Sequence, residues 1–175
     1  MGNTKRPQPP PCSHRGDPIL VGSHTIYVGG LQYFQSNEDL AGYDILVPLT
    51  NGFPMGMIFG KRYTIMAAPL VDYGGVPYRW KNFVSEVADE LKAGKKILAF
   101  CVGSHGRTGC FLGSLIALLE SREETPDPLE AVWDRHCERA VETLAQAIAI
   151  FAIRGEQLPP HYERFFSSTK KVSKQ

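Results

Sequence analysis

Five residues separate a cysteine from an arginine in the segment CVGSHGRTG, residues 101–109. A thiolate is a strong nucleophile, and a guanidinium is a planar fork of donors that matches two phosphate oxygens. Carried on one loop, Cys101 and Arg107 describe nucleophilic displacement at phosphorus with the oxyanion clamped. Gly103 and Gly106 let the backbone from Val102 to Arg107 turn its N–H groups inward on a single anion. The Thr108 hydroxyl is placed to donate to the sulfur and steady it as a leaving group. Such a displacement also needs a proton for the departing oxygen. Asp72, in PLVDYGGVP (residues 69–77), is the candidate; an Asp beside glycines is equally a turn residue, and position alone leaves both open.

The same positive field that attracts phosphate ionises a thiol. Thiols near helix N-termini and arginines have pKa values of about 3.5–7.5, against ~8.5 unperturbed. A two-unit depression is worth about 2.7 kcal/mol, whereas a helix dipole supplies ~0.3–1 kcal/mol. Directed N–H bonds and the guanidinium must supply the rest. A bare Cys-x5-Arg pair is common by chance; the context carries the signal.

That context is a strand–loop–helix junction. Lys95–Phe100 (KKILAF) is a short apolar run between Gly94 and the loop and suits a strand buried on both faces. Thr108–Leu119 resumes apolar helical character, so orphan N–H groups of its first turn face the loop. Upstream, Thr25–Val28, Asp44–Leu49 and Tyr63–Ala68 read as strands. Tyr78–Ala93 carries Trp80, Phe83, Val84, Val87 and Leu91 at helical spacing, with Gly94 as the stop. Further helices are expected over Pro128–His136 and Arg139–Ile153, and Tyr162, Phe165 and Phe166 form a last amphipathic turn. Alternation of this kind predicts an α/β fold with a mainly parallel central sheet flanked by helices, the Cys-x5-Arg loop lying between a central strand and a helix.

The 175 residues suit one domain. Pro7, Pro9, Pro10, Pro11 and Pro18 make residues 1–18 a flexible or extended lead-in. The domain is expected over 19–168, and 169–175 is a basic tail with Lys170, Lys171 and Lys174. Lys plus Arg number 19 and Asp plus Glu 18, which argues against a broad nucleic-acid surface and leaves room for one local anion site. Cys12, Cys101, Cys110 and Cys137 form no Cys-x-x-Cys pair, and no His pair has finger-like spacing, so no structural zinc site is expected. No secretory start or membrane-length apolar run is visible, and Arg6 replaces the small hydroxyl residue of a myristoylation signal. The expectation is a soluble, cytoplasmic protein with free thiols. Cys110 is expected in the core, His136-Cys137 in ordinary packing, and Cys12 and His14 in the lead-in without a role.

Taken together, CVGSHGRTG and APLVDYGGVP resemble the phosphate-binding signature and general-acid loop of the protein tyrosine phosphatase superfamily, in particular its small dual-specificity and atypical members. TIYVGGLQYF (25–34) resembles their opening strand and turn, and AVETLAQAIAIF (140–151) their late helix with Thr-x-x-Gln; the similarity spans about Thr25 to Phe166. The resemblance implies that Cys101 forms a phosphocysteine, that Arg107 and the 102–107 amides hold the equatorial oxygens, that Asp72 is acid and then base, that Thr108 assists thiolate departure, and that Gln146 orients water. No metal or cofactor is required, and the partner is a phosphorylated protein or another phosphomonoester. Two positions depart from the pattern: Phe100 stands where the family has His, and Ser104 where it has Gly, which implies a different loop path. No match to a phosphotyrosine-recognition loop is found. His105 occupies a place where lipid-directed members carry a basic residue; it either meets a second phosphate or is a solvent-facing or backbone-bonded loop residue.

Three functions remain in view. Protein phosphotyrosine or phosphoserine/threonine is the default substrate, with a phosphoinositide or an RNA 5′ phosphate open to the same chemistry. A pseudophosphatase that binds without turnover is favoured by Phe100 and Ser104 and opposed by the intact Cys101, Asp72, Arg107 and Thr108. Sulfur transfer also uses a loop cysteine, but gives Asp72 and Gln146 no role.

Overall fold

The computed structural model describes residues 12–52 and 63–169. Residues 1–11, which hold four of the five lead-in prolines, and the tail lysines lie outside them. Strands β1 (Arg15–Val21), β2 (His24–Gly30), β3 (Ile45–Pro48), β4 (Thr64–Ile65) and β5 (Ile97–Cys101) form one sheet in the order β1-β2-β5-β3-β4. β1 pairs antiparallel with β2, and all other pairs are parallel. The α-helices are α1 (Trp80–Lys92), α2 (Gly106–Leu119), α3 (Pro128–Arg135), α4 (Leu144–Ala152) and α5 (Pro160–Thr169). The α/β class and the mainly parallel sheet are as expected.

β5 is central, and all five of its residues are buried. Period-two alternation sends Ile97, Ala99 and Cys101 to the face that packs on the helices, among Val84, Phe111, Leu112 and Ile150. Leu98 and Phe100 point to the other face, which among the described residues is covered by Leu31, Phe34, Leu40, Tyr43 and Tyr63. α1 ends where the pattern placed the stop: Gly94 takes φ +85, a left-handed geometry that costs glycine little.

Four expectations shift. β1 begins at Arg15, inside the segment read as lead-in. Pro18 is tolerated because β1 is an edge strand, and a register shift between Arg15 and Asp17 accommodates the break. β4 has two residues in place of the six of Tyr63–Ala68. α2 starts two residues earlier than Thr108, so Arg107 lies in its first turn. The last predicted helix begins at Leu144 rather than Arg139, because Val141 takes φ +63 and Thr143 caps the helix.

Candidate active site

Cys101 ends β5, residues 102–105 form the loop, and Gly106 opens α2. The loop is anchored on three sides. Val102 O accepts from Gln32 N at 3.2 Å, and a Cβ on Gly30 would lie 2.6 Å from Val102 O, so the turn after β2 needs glycine to approach this closely. His105 O accepts from Gly109 N at 2.8 Å and Val141 N at 3.2 Å. Ser104 O accepts from His136 Nε2 at 2.6 Å. Ser104 takes φ +62 and is fully buried. The left-handed position of the loop is therefore held by a serine instead of a glycine, and His136 fixes its carbonyl. Burial lowers the His136 pKa, offset in part by that bond, so a neutral ring is its donor. Phe100 cannot support the loop, because its side chain faces the small apolar cluster, edge-on to Phe34. Loop support comes from α3 instead of the residue before the cysteine.

A cleft of about 220 Å³ opens above the loop, lined among others by Asp72, Tyr73, Cys101, Arg107 and Glu142. Thr108 Oγ1 donates to Cys101 Sγ at 3.0 Å. Arg107 is buried; Nη1 donates to Thr50 Oγ1 at 3.2 Å and Nη2 lies 3.5 Å from Asp72 Oδ1. Its buried Nε has no partner among the described residues. Asp72 is half exposed on a turn closed by Gly74 N to Val71 O, with Tyr73 at φ +56. Such a turn reaches the guanidinium without being locked to it. Sequence reasoning named Cys101, Asp72, Arg107, Thr108 and the loop residues, and the fold gathers them.

Gln146 has other surroundings. Its Oε1 accepts from Glu142 N at 2.8 Å and Thr143 N at 3.3 Å while Thr143 Oγ1 accepts from Gln146 N, a reciprocal cap that opens α4. It is buried, its Nε2 is without a partner, and it is not among the lining residues. The α4 side of the cleft is instead contributed by Glu142, which sequence reasoning missed. Burial, then the Asp72 charge, raise the Glu142 pKa, while Arg107 and the Gly106 amide lower it. A Cβ on Gly106 would meet Glu142 Oε2 at 2.7 Å, so any larger residue there would push the Glu142 carboxylate aside. The signal was a carboxylate beside the Thr143-x-x-Gln146 cap. Thr50 and Gln32 were also missed: Thr50 sits in no motif, and Gln32 lies in the TIYVGGLQYF segment, which was read only as a strand and turn.

His105 lines the cleft, but its Nε2 lies 3.1 Å from Cys12 Sγ. Burial, then His14 and His136, bring its pKa down to about 4, so the ring is neutral and offers no charge to a second phosphate. Cys12 and His14 are not isolated: His14 is buried, its ring tilted against His136 at 4.5 Å and edge-on to His105 at 5.3 Å. Cys110 is core, its thiol pushed up to about 12 by burial. All four cysteines are free.

No protein-family model matches the chain. Two uncharacterized proteins of Methanocaldococcus jannaschii are similar: MJECL20 is 25% identical over 139 residues, covering 77% of this chain and 90% of its own, and MJ0215 is 26% identical over 137 residues, covering 77% and 83%. Among solved structures, Tk-PTP in its active form aligns with a TM-score of 0.63 at 17% identity, over 79% of this chain and 96% of its own. Kinase associated phosphatase, with serine replacing its catalytic-site cysteine, gives 0.60 at 14% identity, over 90% and 98%. The core catalytic domain of the PP-IP phosphatase SIW14 from S. cerevisiae gives 0.52 at 14%, over 92% and 96%. The chain has the fold of the small protein tyrosine and dual-specificity phosphatases.

Proposed function

We propose that this chain is a cysteine-dependent phosphomonoesterase. The observation that carries the proposal is the buried Arg107 guanidinium, whose Nε has no acceptor among the described residues and whose side chain lines a cleft that also holds Cys101. An oxyanion seated among the 102–107 amides supplies that acceptor. The Cys101 thiolate attacks phosphorus, forming the P–S bond as the ester P–O bond breaks. Asp72 gives its proton to the departing oxygen. As a carboxylate it then takes a proton from the water that attacks the phosphocysteine, the P–S bond breaks, and inorganic phosphate leaves. The Thr108 hydroxyl steadies the sulfur as it departs. Gln146 acts by capping α4 and so placing Glu142.

The cleft is below the ~300–1,000 Å³ of pockets that enclose whole ligands. It suits a phosphoryl group and the first atoms of its ester, as on a phosphorylated tyrosine, serine or threonine side chain. The described lining holds one arginine against the carboxylates of Asp72 and Glu142, which favours a monoester on protein over a polyphosphorylated inositol or RNA 5′ end. No helix among the described residues is long and apolar enough to cross a membrane. A cytoplasmic, reducing setting suits the free thiols. Hydrolysis of p-nitrophenyl phosphate tests the proposal. Turnover that Cys101→Ser reduces by ~10⁴-fold or more, with a radiolabelled phosphocysteine trapped in acid, is expected. Tight phosphopeptide binding with no turnover means a binding module instead.

A further inference from the structure

Beside the loop, on the side away from Asp72, lies a second cluster. Cys12, His14, His105 and Cys137 come from three distant stretches of chain, and one ligand atom of each falls within 4.8 Å of all the others. Cys12 Sγ is 3.8 Å from Cys137 Sγ and 3.1 Å from His105 Nε2. In a tetrahedral site with Zn–S bonds of ~2.3 Å, the two sulfurs stand ~3.8 Å apart. The sulfur pair already has the length of a tetrahedron's edge.

His14 supplies an independent observation. It is 5% exposed, and its Nδ1 lies 2.5 Å from Asp17 Oδ2. That contact sets the tautomer and leaves Nε2 as the ligand nitrogen; Nε2 is buried and has no partner among the described residues. A carboxylate behind the outer nitrogen of a histidine is the usual support of a metal-bound imidazole. The backbone N–H of Arg139 points at Cys137 Sγ at 3.4 Å, support of the kind a thiolate ligand receives. A second grouping, His14 with Asp17 and His136, shares His14. It requires Asp17 and Nδ1 of His14 to give up the bond they make with each other, and so is the weaker set.

We propose that Cys12, His14, His105 and Cys137 form a four-ligand zinc site beside the phosphate loop. Two thiolates and two neutral imidazoles in a tetrahedral frame select Zn²⁺ over harder divalent ions. Binding releases the two thiol protons, leaving a site of net charge zero. With all four positions filled by protein the ion is structural. It ties the chain ahead of β1 to the loop through His105 and to the α3–α4 connection through Cys137. The absence of any Cys-x-x-Cys pair is thereby overruled by the fold: ligands 125 residues apart in sequence meet in space. The site stands or falls independently of turnover at Cys101.

The test uses the full chain, freed of metal by a chelator and kept reduced, as wild type, Cys101→Ser, and the double variant Cys12→Ser/Cys137→Ser. Titration with Zn²⁺ is expected to give one ion per chain with Kd below ~10⁻⁷ M in wild type and in Cys101→Ser, and at least ~100-fold weaker binding in the double variant. Co²⁺ in place of zinc should give tetrahedral visible bands and a charge-transfer intensity for two thiolates in wild type. That spectrum counts ligands without relying on any variant folding. Tight zinc binding that survives the double substitution overturns the proposal, as does binding lost in Cys101→Ser, which would place the ion on the cleft thiol. A wild-type chain with intact circular dichroism that takes up no Co²⁺, or that forms a Cys12–Cys137 disulfide in reducing buffer, also overturns it.

Discussion

The two ends of α2 (Gly106–Leu119) make opposite use of the same kinds of group. At the C-terminal end, Glu120 receives both arms of Arg135 at 2.6 and 2.9 Å, the Gly22 amide at 2.8 Å and the Thr125 hydroxyl. Arg154 closes the end by donating to Ala117 O, Thr125 O and Glu120 O. Cations there also complement the negative end of the helix dipole. At the N-terminal end, Arg107 Nε is buried with no partner among the described residues. The cavity bounded by Glu120 and Arg135 is the larger, about 540 Å³ against 220 Å³. Size therefore does not locate the site. A buried polar atom left unsatisfied carries a cost of about 1–3 kcal/mol, which the anion of the proposed function would relieve at Arg107. The closed end fastens the β1–β2 hairpin to α2 and α3, and so holds the scaffold from which the open end works.

The comparison breaks most sharply at the acid. Asp72→Asn should lower turnover of an aryl phosphate by about 10²–10⁴-fold at neutral pH and leave the melting temperature unchanged, since the side chain is half exposed. Glu142→Gln should tighten inhibition by inorganic phosphate by about fivefold, the removal of one like charge near the anion. If Glu142→Gln slows turnover more than Asp72→Asn does, Glu142 is the proton donor and the assignment of Asp72 falls.

The closed end should answer in stability alone. Arg135→Ala leaves the Glu120 carboxylate buried without its partner and should cost about 3 kcal/mol, read as a lower urea midpoint, while kcat at permissive temperature is retained. A matching loss of kcat would mean that the two ends are coupled. The pH dependence sharpens this. Burial raises the Glu120 pKa, but the Arg135 bonds, the Gly22 amide and the Thr125 hydroxyl outweigh it and bring the carboxyl down to about 2. An unfolded Glu titrates near ~4.3. The folded pKa is the lower one, so the contribution is whole above about pH 4.5 and is lost as pH falls toward 2. Urea midpoints of wild type and Glu120→Gln should differ at pH 7 and converge only as pH falls from about 4 to about 2. The smallest effect is expected at Thr143→Ala, about 1 kcal/mol from loss of the α4 cap, seen as a modest drop in melting temperature.

Much of this was legible in the chain itself. A strand buried on both faces needs an unbroken apolar run, and Lys95–Phe100 carries one. The loop needed one unusual dihedral, and the chain offered Gly103 and Gly106 for it, but the left-handed position falls on Ser104, which the glycine pattern did not indicate. Cys101, Arg107, Thr108 and Asp72 could be singled out because local chemistry and local spacing define them. What local spacing cannot express is contact between remote segments. β1 was hidden because Pro18 reads as a breaker until the strand is known to lie at an edge. Phe100 read as lost support until the pleat showed it facing away from the loop and His136, on another element, holding Ser104 in its place. Glu142 enters the cleft only because Val141 reverses the backbone before α4.

The sequence by itself determined the class of fold and the Cys101–Arg107 loop, because both follow from periodicity and from residues adjacent in the chain. Tertiary structure alone decided which carboxylates face the guanidinium, which buried donors stay unpaired, and that Cys12, His14, His105 and Cys137 meet. Those outcomes depend on how elements pack, and packing depends on the shape of every neighbour at once rather than on the order of residues along one stretch.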